Sequence, residues 1–176
     1  MDFQLRKDAR KWFKDIYANY SILFDLYYLC LMAGFAASRR NTQITAEEVD
    51  SLVENFPGDF RDRGRRLVGL LIHADLAYLG IDLDERDAVY RRVAELVDPN
   101  SPSDLSNEGI KIMNQYAHGG FDVLCENFSD RPTSIETFVR KYARCLSDLQ
   151  TADAGRSGKN ICLHRGTGVP PVVPKR

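Results

Sequence analysis

The chain has 176 residues, of which 44% are hydrophobic and 28% charged, and these values are ordinary for one globular domain. Its formal net charge is −1, but five of the 24 basic and one of the 25 acidic residues follow Gln150, which leaves 19 and 24, or −5, in residues 1–150. An acidic body is a poor general binder of polyanions, so any contact with nucleic acid requires a local basic patch.

An aromatic-rich stripe indicates one long N-terminal helix that begins near Arg6 and ends near Ser38, with Gly34 as a weak point. Its members follow three- and four-residue spacing and are Trp12, Phe13, Ile16, Tyr17, Tyr20, Leu23, Phe24, Tyr27, Tyr28 and Leu31. The apolar run 22–37 contains Asp25 and is shorter than the roughly 20 apolar residues that a membrane span needs. The sequence therefore predicts a central buried helix and no membrane association.

The next two helices are predicted from their end signals. Thr45 and Glu48 have the spacing of a capping box, which predicts a short helix that Pro57 ends. A third helix is predicted from about residue 60 to residue 79, with Gly80 as its C-terminal glycine.

Two further helices follow in the same way. Acidic residues favour a helix N-terminus, so the fourth helix is expected to begin after Asp82 or Asp84. Ser106 can cap the fifth helix, whose apolar spacing continues straight through Gly119 and Gly120.

The C-terminal part divides into a helix and a tail. Thr133 and Glu136 form a second capping box, which predicts a last helix through Leu149. The rest is rich in Gly and Pro, and its "HRGTGVPPVV" stretch resembles the translation of a repetitive genomic element, which carries no fold. We therefore predict an all-α fold, a single compact bundle of about six helices in residues 1–150, with a disordered tail in residues 151–176.

The cysteines and the N-terminus indicate a cytoplasmic protein. The four cysteines form no CxxC pair, and the start "MDFQLRKDARKWF" is too charged for a signal peptide, so they are read as reduced thiols. They are Cys30, Cys125, Cys145 and Cys162. Phosphate-loop, nucleophile-elbow and dinucleotide-binding motifs are absent from the sequence, and we predict no cofactor and no metal.

The stretch "YAHGGF", residues 116–121, has two interpretations. Gly119 and Gly120 each cost a helix about 1 kcal/mol relative to alanine, and close helix–helix packing is the simplest compensation. The alternative makes His118 a general base or ligand beside a flexible joint. We favour packing at the two glycines.

A chemical site would need partners for His118 from elsewhere in the chain. His73 and Asp25 could join it in three dimensions. The "HAD" pair His73 and Asp75 is a weak metal motif, because side chains two apart on a helix diverge by about 200°. An uncharacterised enzyme around His118, His73 and Asp25 is therefore the least favoured hypothesis.

The sharpest polar feature is "RDRGRR", at the start of the predicted third helix. Its four arginines, hereafter the arginine cluster, are Arg61, Arg63, Arg65 and Arg66. Guanidinium groups bind phosphates and carboxylates bidentately, whereas the helix dipole disfavours cations at an N-terminus. Four cations at the helix end where the dipole disfavours them therefore indicate a role other than stabilising the helix. The alternative is a solvated face whose cations pair with Glu54, Asp59, Asp62 and neighbouring acids.

Two neighbouring arginine pairs could enlarge the arginine cluster. Arg39 and Arg40 end the predicted first helix, and Arg91 and Arg92 lie on the fourth. If the helices bring them together, they form a basic face on an acidic body that could bind DNA, RNA or an acidic protein.

The first functional hypothesis is a non-catalytic interaction subunit or adaptor of a larger assembly, with a protein partner or a second copy. Its contact surfaces would be the aromatic N-terminal helix and the arginine cluster; exposed aromatic rings at Trp12, Phe13 or Tyr17 would indicate an interface. Small helical proteins of this kind are similar in style to accessory subunits of bacterial DNA-processing and anti-phage systems, an analogy of size and class. The alternative is direct nucleic-acid binding through the arginine cluster.

Overall fold

The computed structural model describes residues 1–16 and 23–160, with side chains as far as residue 151. The elements in chain order are β1 (Gln4–Arg6), α1 (Lys7–Trp12), α2 (Leu23–Ala36), β2 (Val49–Ser51), α3 (Arg61–Leu79), α4 (Arg86–Leu96), α5 (Asn107–Asn127) and α6 (Ile135–Asn160). The fold is thus mostly helical, as predicted, with the addition of one small sheet. Within these ranges, every helix is too short or too polar to cross a membrane.

Helices α2 and α5 form the centre of the bundle and make its most extensive helix–helix contact. A Cβ atom placed on Gly120 would overlap the carbonyl oxygen of Cys30, and one placed on Gly34 would overlap that of Tyr116. A Cβ on Gly119 would lie 2.5 Å from the carbonyl oxygen of Arg39. The two backbones therefore approach more closely than any side chain at these positions would allow.

The predicted long N-terminal helix is interrupted. Helix α1 ends at Trp12, and residues 13–16 form turns in which the Phe13 N–H donates to the Ala9 carbonyl at 3.0 Å. Trp12 packs edge-on against rings of α5 and α6, including Phe121 and Phe138, so tertiary packing overrides the helical spacing. Tyr17 and Tyr20, which the prediction included, lie outside the described residues.

The short helix predicted after Thr45 is wrong, although its capping box forms. The carboxylate of Glu48 accepts the Thr45 N–H at 2.9 Å, but only a 3₁₀ turn over Ala46–Glu48 follows. The chain then enters β2, which pairs antiparallel with β1 and places Leu5 opposite Asp50. Backbone hydrogen bonds to a distant segment, which local spacing does not reveal, decide the structure here.

The signals at the ends of the later helices are largely confirmed. Helix α3 ends at Gly80, whose φ of 68° is the left-handed conformation expected of a C-terminal glycine. The Ser106 hydroxyl caps α5 by accepting the Gly109 N–H at 3.0 Å. At α6, however, the hydroxyl that meets the Glu136 carboxylate, at 2.6 Å, belongs to Ser134 and not to the predicted Thr133.

Helix α6 extends past residue 150. The helix continues to Asn160, whereas the helical domain was predicted to end at residue 150. Residues 161–176, the greater part of the predicted disordered tail, lie outside the described residues.

Strand β1 is fastened to α5 by polar side chains. The Asn114 side-chain oxygen accepts the Gln4 N–H at 3.1 Å, and its amide nitrogen donates to the Asp2 carbonyl at 3.0 Å. Arg6 at the end of the strand donates to Asp122 at 2.5 Å. Because Phe3 between these anchors is completely buried, the first strand is part of the core.

Candidate functional site

The arginine cluster lies on the first two turns of α3, and all four of its side chains are exposed. Gly64 in the middle of the cluster is buried, and a Cβ there would lie 2.7 Å from the ring of Phe56. The glycine therefore lets this end of the helix rest directly on the body of the protein, with the arginines directed to its sides and outward.

Few intramolecular contacts neutralise the arginine cluster. The side chain of Arg65 is 90% exposed and its Nε lies 3.8 Å from Asp104, the one ion pair of the cluster within the described residues. Arg63 lies 5.8 Å from the ring centroid of Phe60. Among the described residues, the arginine cluster forms no ion pair with Glu54, Asp59 or Asp62, and the pair with Asp104 is compatible with the solvated-face alternative. The cluster is therefore open to an external anionic group.

Arg40 does not extend the arginine cluster, because it is buried in a different ionic centre. Its guanidinium bonds to Asp75, which has no exposed surface, and the other carboxylate oxygen accepts the Arg92 Nε–H at 2.5 Å. Asp75 is 14 residues beyond Arg61 on α3, or roughly 21 Å along the helix axis. Asp75, Arg40 and Arg92, hereafter the Asp75 centre, thus join α3, α4 and the segment after α2.

The two remaining arginines of the expected basic face are also held elsewhere. Arg39 lies 2.5 Å from the Glu126 carboxylate on α5, and Arg91 donates to the Asp87 carbonyl of its own helix at 3.2 Å. Each of these two arginines therefore has a bonding partner outside the arginine cluster.

The aromatic surface expected of the N-terminal helix is turned inward. Trp12 is 8% exposed and Phe13 has no exposed surface, since both pack into the protein's own core. Tyr17 lies outside the described residues. Trp12 and Phe13 therefore do not provide the exposed aromatic rings that would indicate an interface.

His118 is buried on α5 beside a small polar cavity. The residue is 6% exposed, and within the described residues neither ring nitrogen has a hydrogen-bond partner. The cavity has a volume of about 220 Å³, and its walls include Asn41, Thr42, Lys111 and Gln115. Burial, followed by the positive charge of Arg6, lowers the pKa of His118 to about 4. The imidazole is therefore neutral at pH 7.

The hypothesised site around His118, His73 and Asp25 is not assembled in one cavity. His73 is exposed on α3 and lines a separate cavity with Met32 and Phe35, while Asp25 lies in the first turn of α2. Among the residues that the structure describes, His, Cys, Asp and Glu side chains form no group of three that could hold a metal ion.

The lowered pKa of His118 predicts a loss of stability in acid. An unfolded histidine titrates near pH 6.5, so between pH 6.5 and pH 4 the unfolded chain binds a proton that the folded protein does not. We expect the free energy of unfolding to fall by about 2 kcal/mol more between pH 7 and pH 5 in the wild type than in His118→Gln. Urea unfolding at both pH values measures this, and His73→Gln, which removes an exposed imidazole, should keep the wild-type difference.

Sequence reasoning missed two polar features. Asp75 was considered only as a metal ligand, and no local spacing identifies its partners 35 residues before and 17 residues after it. The exposed basic residues of α1 were also missed, although their spacing, complementary to the apolar stripe at Trp12, was a readable signal.

Comparison with known protein families, with curated proteins and with solved structures finds no match to this chain. Its function is therefore inferred from the surfaces described above.

Proposed function

We propose that the protein is a non-catalytic interaction subunit, or adaptor, of a larger intracellular assembly, and that the arginine cluster is its contact surface. The observation that supports this is the exposure of four guanidinium groups with one ion pair, at 3.8 Å, among the described residues. These cations repel one another, and the positive end of the α3 dipole adds to the repulsion. An anionic partner would offset both the repulsion among the arginines and their repulsion by the helix dipole.

The partner that we favour is an acidic protein surface, on another subunit or on a second copy of this chain. Carboxylates accept bidentate hydrogen bonds from guanidinium groups, and residues 1–150 of this chain themselves carry a net charge of −5. We place the assembly in the cytoplasm, in a bacterial DNA-processing or anti-phage setting. That setting is supported by the analogy of size and helical class alone.

The second candidate function is direct binding of DNA or RNA through the arginine cluster. The specific observation is that the four exposed arginines surround the start of α3 on more than one side, where guanidinium groups could contact successive phosphates. Binding of this kind weakens as salt rises, because each neutralised phosphate releases counterions.

A pull-down from native lysate tests both functions. The full-length protein is compared, with and without nuclease, with a variant in which the four arginines of the cluster are changed to alanine. The matched control removes the same charge from exposed arginines elsewhere, and its substitutions are Arg91→Ala, Arg131→Ala, Arg140→Ala and Arg144→Ala.

The expected result is a protein partner that survives nuclease, is lost with the cluster variant and is retained by the control. Nucleic acid lost only with the cluster variant would place the second candidate first. Equal capture by the wild type and the cluster variant would contradict both.

A further inference from the structure

The first helix carries a second basic surface on the side opposite to its core contacts. Ala9, Trp12, Phe13 and Ile16 are buried, and the residues between them are exposed. Those exposed cations, hereafter the α1 basic face, are Lys7, Arg10, Lys11 and Lys14. The chain between residues 7 and 14 is thus apolar on one side, and its exposed side carries these four cations and one acid, Asp8, which pairs with Arg6.

The four cations converge on one cleft. They line a cavity of about 380 Å³ together with Asp50 of β2. Arg10 lies 3.5 Å from Asp50, and the Lys7 ammonium donates to the Glu47 carbonyl at 2.6 Å. Within the described residues, Lys11 and Lys14 have no ion pair. A cleft lined mostly by one sign of charge concentrates counterions, so this one attracts anions.

Acidic residues limit the cleft on one side. A neighbouring cavity shares Lys7 and Lys11 but is also lined by Asp8, Glu47 and Glu48. An extended anion would be repelled there, and so it would lie toward Arg10 and Lys14.

The lining of the cleft argues against a protein or a membrane as the ligand. Protein interfaces have large apolar or aromatic side chains at their centre, whereas the apolar surface of this cleft comes from the aliphatic stems of charged side chains. Insertion into a membrane surface needs the apolar side of an amphipathic helix, but Trp12 and Phe13 are buried in the core. Single-stranded nucleic acid is usually held by aromatic stacking, which this cleft does not offer.

We infer that the α1 basic face binds the phosphate backbone of double-stranded nucleic acid, without reading its sequence. From Lys7 to Trp12 the face follows α1 for about 8 Å at 1.5 Å per residue and continues onto the turn at Lys14, and this length matches the axial rise of about three phosphates of one strand at 3.4 Å per nucleotide. The inference goes beyond the proposed function and does not depend on the arginine cluster.

The test is the fluorescence anisotropy of a labelled mixed-sequence DNA duplex titrated with the full-length protein. About three phosphate contacts predict that the dissociation constant rises about 40-fold between about 50 mM and about 200 mM salt. Changing the α1 basic face to glutamine should weaken binding at low salt at least about tenfold and remove most of this salt dependence. The matched control changes four exposed cations elsewhere to glutamine, namely Arg131, Arg140, Lys141 and Arg144, and should bind as the wild type does.

A gain of affinity provides a second readout that damage to the fold would not produce. Asp50→Asn removes the one carboxylate of the cleft and should tighten binding. A wild-type protein that fails to bind the duplex, or binds phosphatidylserine vesicles as tightly, would overturn the inference. So would equal binding by the basic-face variant and the wild type, or equal loss in the control. The arginine-cluster variant in the same titration shows separately whether that surface contributes.

Discussion

Replacing Gly120 with alanine is expected to lower the free energy of unfolding by about 3 kcal/mol or more. The added methyl group would overlap the carbonyl oxygen of Cys30 and approach the backbone nitrogen of Gly34. Both are backbone atoms, so no side-chain rotation relieves the overlap, and α2 must move away from α5. Since these helices make the most extensive contact in the bundle, their separation would loosen the whole core.

Urea unfolding of Gly120→Ala beside Gly69→Ala measures this effect. Gly69 lies on the exposed side of α3, and a Cβ there has no atom within 4 Å. Alanine is the better helix former, so Gly69→Ala should raise the free energy of unfolding by up to about 1 kcal/mol. If Gly120→Ala behaved in the same way, the close approach of α2 and α5 would be refuted.

Asp75→Asn is expected to cost about 3–5 kcal/mol of stability, because it leaves two guanidinium groups without their shared counter-charge. The side chain of Arg40 is 8% exposed and its Nε already lacks a hydrogen-bond partner. It lies 4.0 Å from the ring centroid of Tyr78 and 4.7 Å from that of Tyr116, which leaves it little access to water. Asparagine keeps the shape of the side chain but replaces one of the two accepting oxygens with an amide donor, so the loss combines the removed charge with one lost hydrogen bond.

Glu95→Gln is the control for Asp75→Asn. Glu95 also contacts Arg92, at 2.6 Å, but its side chain is 60% exposed, and exposed ion pairs contribute at most about 1 kcal/mol. Thermal or urea unfolding should separate the two variants clearly. Similar losses in both would mean that solvent screens the Asp75 centre as it does a surface pair.

The parts of the fold that the sequence predicts well depend on local signals. Helix α3 coincides closely with its prediction, because its apolar stripe and Gly80 lie within one continuous segment. Helix α5 is fixed by Ser106 and an unbroken stripe. The segment after Thr45 fails for the opposite reason. Its apolar residues suit a helix, but β1, more than 40 residues earlier, supplies hydrogen bonds that make β2 instead.

The same distinction applies to the candidate surfaces. A run such as "RDRGRR" on the polar side of a predicted helix is expected to be exposed, and the arginine cluster is exposed. Arg40 also lies beside another arginine in the sequence, Arg39, but is buried, because Asp75 lies opposite it in the folded chain. Burial of a charge depends on a partner from another element, and one sequence does not show which elements meet.

The attachment of the first strand to α5 has a consequence for how the protein is made on the ribosome. Gln4 and Arg6 bond to Asn114 and Asp122, more than 100 positions later. At a synthesis rate of about 5–20 residues per second, roughly 5–20 s pass between the synthesis of the strand residues and the synthesis of their partners on α5. The rings that surround Phe3, those of Phe24, Tyr27 and Phe56, are made early in this interval, but strand β1 lacks its anchors to Asn114 and Asp122 until α5 emerges from the exit tunnel.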